Sequence, residues 1–440
     1  MNTSDSSSAG ATTPAWPTAF RALVEQRRTL LLQGPMGWFF QHLADVLIRQ
    51  GQRVTKVHFN GGDQLFWRHP GALRYTGRIE DLGSWLGTLM RTHRIDAIVL
   101  FGQMRPVHCI ARDIARELGV QVFVFEEGYL RPNYVTIERR GVNALSRLPR
   151  AASFYARRDD LRHAAPLPTH QSTWRSSLVA MSYYLAATLT RPLYPHAVHH
   201  RSLNPLAEGL RWLRGFARQA HYRLRERGLQ DWLCQPAQAR RWFLVPLQVR
   251  DDSQIRHHSR FDGMEPFIAE VMASFAAHAP ADMLLVIKHH PMDRAYTDYR
   301  AFIRQQARAL GLAGRVHYLH DQHLPTLLDH TCGVVTVNST VGLQALHHGA
   351  PVITLGESVY GIPGLVHDGP LARFWRAPGQ VDTALYRAFR DHLIAHTQLN
   401  ASFYADTPAL QQPPAPVAPL AARHHLVPDA LDRDAEPVPR

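Results

Sequence analysis

Glu126 and Glu127 are adjacent carboxylates followed by Gly128, and far along the chain Lys288, His289 and His290 precede Pro291. A carboxylate pair can supply a nucleophile or a general base, with the second group orienting the first or holding a proton. A lysine beside histidines suits a phosphate, because ammonium and imidazolium neutralise its charge and imidazole titrates near neutral pH. Asn338, Ser339 and Thr340 add an amide and two hydroxyls, and Gln248 with Asp252, Ser253 and Gln254 offers contacts for a base, a ribose or an acceptor. Gln33 and Gly34 open Gln33-Gly34-Pro35-Met36-Gly37, where glycines let backbone amides approach an anion. Each motif also has a plainer reading. These are an ion-paired loop at Glu126-Glu127, a helix cap at Ser339-Thr340, a tight turn at Gly34–Gly37, and chance for the histidine pair in a chain with 27 histidines.

Position favours chemistry over the plainer readings. Each polar run ends a short apolar segment: Thr29–Gln33, Val120–Phe125, Trp242–Val249, Met283–Ile287 and Gly333–Val337. Further apolar runs lie at Val54–Phe59, Ile95–Phe101, Val316–Leu319 and Pro351–Leu355. Helical patterns fall between them at Trp38–Gln50, Val107–Leu118, Pro266–Ala277 and Tyr299–Leu310. Apolar strands alternating with helices indicate parallel sheets buried on both faces. The class is α/β, with two Rossmann-type domains, and such sheets bind ligands outside the carboxyl ends of their strands. In an extended segment neighbours point to opposite faces, so only one of Glu126 and Glu127 faces a cleft. The other meets Arg131 or a backbone donor. Gly128 lets the chain turn, and Pro291 fixes the turn that aims His290.

The alternation stops after Gly141 and resumes at Trp242, which divides the chain. Residues 1–25 are expected to be a disordered tail, 26–165 the first Rossmann-like domain, and 166–238 a basic helical insert that is Arg-rich over 173–232. Residues 239–400 are expected to form the second Rossmann-like domain, and 401–440 a Pro/Ala-rich disordered tail. With 440 residues, 45% hydrophobic and 19% charged, the chain has enough apolar material for two cores. Three cysteines without a Cys-x-x-Cys pair argue against a disulfide framework or a structural zinc site and suit a reducing compartment.

The net charge of +13 implies an anionic partner: nucleic acid, an anionic membrane face or an acidic activated substrate. Nucleic acid is not expected, because the insert offers only a loose interleaving of basic and aromatic residues. No secretory signal precedes the first domain, and the most apolar stretch, Ser177–Thr190, is shorter than the roughly 20 residues of a bilayer span. A soluble or peripherally attached protein follows. No metal or other cofactor is expected: the sole Asp-x-Asp is Asp432-Arg433-Asp434 in the tail, and neither His-Glu-x-x-His nor Gly-x-Ser-x-Gly occurs.

Glu126-Glu127-Gly128, His290-Pro291 and Ser339-Thr340 resemble, in order, the three motifs of bacterial transferases that use CMP-activated acidic sugars, sialyltransferases among them. A fuller likeness runs through Leu32-Gln33-Gly34-Pro35, Phe125–Pro132, Asp252-Ser253-Gln254, Lys288–Pro291 and Val337–Leu343. Over about residues 28–365 the chain resembles the capsular polysaccharide biosynthesis/export family of S-type β-Kdo transferases. That resemblance implies a GT-B-like fold and retaining transfer of Kdo from CMP-β-Kdo. The implied acceptor is a phosphatidylglycerol-type lipid or the β-Kdo linker on it, so phospholipid or glycolipid acceptors are expected. The setting is cytoplasmic, at the anionic inner-membrane surface, alongside other capsule assembly and export proteins. In that frame His290, with Lys288, Ser339 and Thr340, holds the CMP phosphate, and Arg131 meets the Kdo carboxylate. Retention makes Glu127 the nucleophile and Glu126 its orienting or acid/base partner; an inverting route would make Glu127 a general base. The rival reading is a non-catalytic polysaccharide- or lipid-binding component of the export machinery.

Overall fold

The computed structural model describes residues 15–156, 163–170, 172–197, 205–250, 255 and 258–411. In the first half, the apolar runs form strands β1 (Arg28–Leu31), β2 (Arg53–His58), β3 (Leu73–Arg74), β4 (Ala97–Phe101) and β5 (Gln121–Glu127). All five are parallel, and two antiparallel neighbours follow at one edge: β6 (Tyr134–Arg139) against β5, and β12 (Gln398–Asn400) against β6. The second half contains β7 (Trp242–Pro246), β8 (Leu284–Lys288), β9 (Val316–Leu319), β10 (Gly333–Thr336) and β11 (Val352–Thr354), all parallel, in the order β11-β10-β7-β8-β9. Both sheets share one plan, with the first strand central and flanked by the second and fourth. The two Rossmann-type domains expected from the alternation are therefore present.

Strand alternation divides each sheet between two cores. Leu31, Phe123 and Phe125 face helix α2 (Phe39–Arg49), whereas Leu30, Val122 and Val124 face the helices Leu82–Thr92 and Pro106–Glu117. In the second sheet Trp242 and Leu244 face one core, and Phe243 and Val245 the other. The first of these also takes Tyr129, Leu148 and Tyr155 from the first half, so the two domains share buried apolar surface.

Three boundaries differ from the expected ones. Residues 15–25 are packed, with Phe20 and Leu23 buried on the helix Thr18–Val24. At the other end the chain crosses back through the helix Thr383–His396, adds β12 to the first sheet and continues to Gln411. There Phe403 fills the space between Phe39 and Phe101, each ring 4.7 Å away, and the Trp16 indole donates to the Ala409 carbonyl at 2.8 Å. Phe403, Tyr404 and Leu410 supply apolar surface that the Pro/Ala-rich run lacks; residues 412–440 lie outside the described part. The insert, third, is two separately docked pieces. Its helix Thr173–Leu189 packs on the first domain, where the Tyr183 hydroxyl accepts from Asn60 and donates to Asp63, both at 2.9 Å. A Cβ at Gly62 would lie 2.7 Å from the Tyr183 ring, so only glycine admits this approach. The helix Pro205–Arg225 packs on the second domain, where Arg218 donates to the Arg294 carbonyl at 2.8 Å and Tyr222 stacks 3.5 Å from His320.

Candidate functional site

The loops after β1, β4 and β5 converge at the carboxyl edge of the first sheet. Because Phe125 faces α2, alternation turns Glu126 to the side of Val124 and Glu127 back to that of Phe125. Glu126 thereby reaches toward Gly102, where a Cβ would stand 3.8 Å from its Oε2, and lies within electrostatic range of Arg105. Its Oε1 also accepts from the Glu127 amide at 3.1 Å. Glu127 is half-exposed and has Arg131 3.9 Å away. The Glu-Glu-Gly turn is firmly held. Thr136 Oγ1 accepts from the Tyr129 amide and donates to the Glu127 carbonyl, both at 3.1 Å, while Gln398 accepts from the Leu130 amide at 3.3 Å. A Cβ on Gly128 would sit 2.1 Å from the Tyr134 carbonyl oxygen, so this position admits only glycine. Beneath it, the Tyr129 hydroxyl donates to Glu138 at 2.7 Å and Ser146 donates to the same carboxyl at 2.5 Å. Burial nevertheless raises the Glu138 pKa to about 7.

Gln33 is buried, and its Oε1 accepts from Arg105 Nη1 at 3.1 Å; its Nε2 is buried without a hydrogen-bond partner among the described residues. Gly34 sits against the Phe40 ring, 2.8 Å from where a Cβ would be, and its carbonyl accepts from Arg105 at 3.4 Å. Arg105 was not among the residues expected from the sequence. It lies just past β4, at the same sheet edge where Glu126 and Glu127 close β5, so the strand-end rule points to it once that loop is read. Its guanidinium lies 4.9 Å from the Phe101 ring centre; burial pulls its pKa down, opposed by Tyr183, Asp63 and Glu126.

In the second domain, strand alternation separates the Lys-His-His run. Lys288 is buried and donates from Nζ to the His320 carbonyl at 3.0 Å. Burial lowers its pKa to about 8 against the pull of Asp321 and Glu226. His289 is buried too, its Nδ1 2.6 Å from the Tyr318 hydroxyl, and burial followed by the charge of His320 takes its pKa to about 3. Only His290 is partly exposed. Its Nδ1 accepts from the Met292 amide at 3.2 Å, within the 3-10 turn that Pro291 begins, so the neutral ring carries its proton on Nε2. Burial, then Lys288, then Arg131 lower its pKa to about 4. Arg131 belongs to the first domain. It is therefore placed where both Glu127 and His290 feel its charge.

Gln248 and Asn338 clasp each other: Gln248 Nε2 donates to Asn338 Oδ1 at 3.0 Å, and the Asn338 amide donates to Gln248 Oε1 at 3.2 Å. Ser339 Oγ accepts from the Val341 amide at 3.2 Å, and its carbonyl accepts from the Tyr360 hydroxyl at 2.5 Å. Thr340 opens the helix Val341–His347 without a side-chain capping bond, so the capping reading holds for Ser339 rather than Thr340. Asp252 lies outside the described residues. The structure thus groups Gln33, Gly34, Glu126 and Arg105 in the first domain and Gln248, Asn338 and Ser339 in the second, and Arg131 links Glu127 by contact and His290 by its charge. It turns Lys288 and His289 inward. Chemically, Glu127, Arg131 and His290 combine a carboxylate, a guanidinium and an N–H donor, which suits displacement at a carbon bearing an anionic leaving group.

The family model for capsule polysaccharide biosynthesis proteins matches residues 96–404. The capsule polysaccharide export protein KpsS of Escherichia coli is 40% identical over 88% of this chain and 99% of its own length. The capsule polysaccharide modification protein LipB of Neisseria meningitidis serogroup B is 39% identical over 86% and 91%. Among solved structures, the KpsC β-Kdo 2,7 transferase of Thermosulfurimonas dismutans aligns with 83% of this chain and 89% of that one, at 14% identity and a TM-score of 0.40.

Proposed function

The chain belongs to the capsule polysaccharide biosynthesis protein family, and from that premise we propose that it is a glycosyltransferase moving Kdo from CMP-β-Kdo to a phosphatidylglycerol-type lipid, or to the β-Kdo linker on it, with retention. The observation that carries this reading is Arg131, 3.9 Å from Glu127 and near enough for its charge to lower the pKa of His290 in the other domain. A sugar acid joined to a phosphate fits such a grouping of charges. Arg131 meets the sugar carboxylate, Glu127 the anomeric carbon, and His290 Nε2–H the phosphate oxygen that departs.

In the first displacement the Glu127 carboxylate bonds to the anomeric carbon as the bond to the CMP oxygen breaks, and the electron pair leaves with CMP. His290 donates a hydrogen bond to that oxygen as charge develops, and Ser339 and Thr340 supply hydroxyls to the same phosphate. In the second step the acceptor hydroxyl attacks the same carbon, the Glu127 ester bond breaks, and the hydroxyl proton passes through solvent to Glu126, which lies on the opposite face of the strand. Two inversions give retention. Lys288, buried on His320, contributes positive charge to this region from within rather than by contact. In this reading the reaction takes place at the cytoplasmic face of the inner membrane, beside the acceptor lipid and other capsule assembly proteins. Among the described residues no helix is long and apolar enough to cross a membrane.

The test is CMP release from CMP-β-Kdo with a defined lipid acceptor, followed by anomeric assignment of the product and intact-mass analysis of the enzyme with donor alone. A covalent Kdo adduct that disappears in Glu127→Gln is the expected result. Acceptor-dependent turnover with inversion makes Glu127 a general base, and absence of any CMP release leaves a recognition protein.

A further inference from the structure

Helix α7 (Thr173–Leu189) and helix α8 (Pro205–Arg225) each anchor one face on a domain and leave the other apolar and exposed. On α7, Trp174, Leu178, Met181, Leu185 and Leu189 are between 47% and 72% exposed. At 3.6 residues per turn they fall within about 80° of arc, while Ala180, Tyr183 and Ala187 are buried on the opposite side. This reverses the usual surface helix, whose outer face is polar. Arg175 is the one charged residue of α7. On α8, Leu210, Leu213, Phe216 and Leu224 are between 57% and 76% exposed, opposite the buried Tyr222. The two helices touch each other.

Apolar area on this scale marks an interaction surface, and charge selects the occupant. Arg175 and Arg191 border the α7 stripe, and Arg223, Arg225 and Arg227 border that of α8; all five are exposed. Arg223, Arg225 and Arg227 make no ion pair with a described residue, whereas Arg214 and Arg218 are spent on the carbonyls of Ala295 and Arg294. A second copy of the chain would set this arginine rim against its own like, whereas an anionic lipid surface neutralises it. A span is ruled out by length: α7, at 17 residues, rises about 25 Å, short of the roughly 30 Å hydrocarbon core.

We propose that the outer faces of α7 and α8 are the membrane-docking surface of the protein, lying in the plane of an anionic phospholipid leaflet. Trp174, Leu178, Met181, Leu185 and Leu189 enter below the headgroups, with Leu210, Leu213, Phe216 and Leu224 beside them, and the arginine rim meets lipid phosphates. The choice of a bilayer rests on the lipid-acceptor reading above, but the surface itself does not depend on the chemistry of transfer. Docking would also bring the membrane to the catalytic domains by a short route, since Glu226, directly after α8, binds His320, the residue on which Lys288 rests.

The test is flotation of the full chain with vesicles of phosphatidylcholine alone or with phosphatidylglycerol. Binding is expected only with phosphatidylglycerol, falling about 100-fold in the pair Leu178→Glu/Leu185→Glu and about 10- to 30-fold in Arg223→Ala/Arg225→Ala. Brominated acyl chains should quench fluorescence that is lost in Trp174→Phe, a readout on an otherwise intact protein. Turnover of a water-soluble acceptor should persist in these variants, so loss of docking is distinguishable from failure of the transferase reading. The proposal is overturned if the glutamate pair binds vesicles as well as the parent, if binding ignores phosphatidylglycerol, or if the pair converts an oligomer to a monomer with vesicle binding unchanged.

Discussion

Arg105 donates to Gln33 Oε1 at 3.1 Å and so ties the loop after β4 to the loop after β1, at the point where the strand order of the first sheet reverses. The second sheet has a counterpart, because Gln248 follows β7, Asn338 follows β10, and the two are mutually bonded. Such reversal points open the crevice in which doubly wound sheets bind ligands. Each domain thus closes its crevice floor with a side-chain amide, and in the first that amide meets the Arg105 guanidinium.

Arg105 is expected to hold an anionic group of acceptor or donor. Arg105→Ala should lower kcat/KM by about 30- to 150-fold, the loss of one charge-assisted contact. Arg105→Lys should restore only part of it, since a point charge replaces a planar fork. Steady-state kinetics with donor and acceptor varied separately will show which substrate carries the partner, and unchanged kinetics in Arg105→Ala would remove it from the site.

Glu226 joins the insert to the loop region around Lys288. Its Oε2 accepts from the His320 amide at 2.9 Å and its Oε1 from His320 Nδ1 at 2.5 Å. Burial pushes its pKa up, but the bonds from His320 and Gln322 outweigh this and hold it below the usual value. Glu226→Gln should therefore destabilise the protein by about 1–3 kcal/mol, because a buried donor loses its acceptor. Thermal melts will measure it, and a melt matching the parent would mean that α8 is held by its arginines alone.

Much of the site was legible because strand-end position is a local property: Phe125 and Ile287 are apolar, Glu126 and Lys288 are not, and the boundary shows in the chain. Inward and outward orientation was less so. His289 and His290 look alike in sequence, and only the Tyr318 hydroxyl on one side and the Met292 amide on the other distinguish them. Long-range returns left no local trace. Gln398 pairs with Thr136 across most of the chain, and nothing near residue 400 announces a strand of the first sheet. The apolar stripe of α7 was visible as a lipid-like stretch, yet its exposure follows from Tyr183 occupying the face toward Asn60 and Asp63.

Gly128 and Gly263 provide a matched pair. A Cβ at Gly128 meets the Tyr134 carbonyl at 2.1 Å, whereas one at Gly263 meets nothing within 4 Å. Backbone cannot give way as a side chain tip can. Gly128→Ala should lower stability by about 1–3 kcal/mol and abolish turnover by displacing Glu127, while Gly263→Ala should stay within about 0.5 kcal/mol of the parent. Equal melting temperatures for the two variants would contradict the contact.

Acid should destabilise the protein below about pH 6.5, the unfolded histidine value. Burial, with Lys56 and Arg74 adding to it, holds His58 at about 3; burial also dominates for His289 at about 3 and His290 at about 4. The unfolded chain takes up these protons as pH falls and the folded one refuses them. Stability is therefore full above 6.5 and lost on the way down to the folded values. Each histidine contributes a slope of up to about 1.4 kcal/mol per pH unit, with the partly exposed His290 contributing less. Glu138 acts in the opposite sense: raised to about 7, it gives stability that is complete below the unfolded carboxyl value and lost as pH rises through 7. His42, His317 and His347, also lowered by burial, act in the same sense as these three, so the net change is a loss in acid. The melting temperature should fall between pH 6.5 and 4.5, more gently in His289→Gln and more steeply in Glu138→Gln, where the opposing contribution is gone. A melting temperature constant from pH 7.5 to 4.5 would show that these histidines are solvated and not buried.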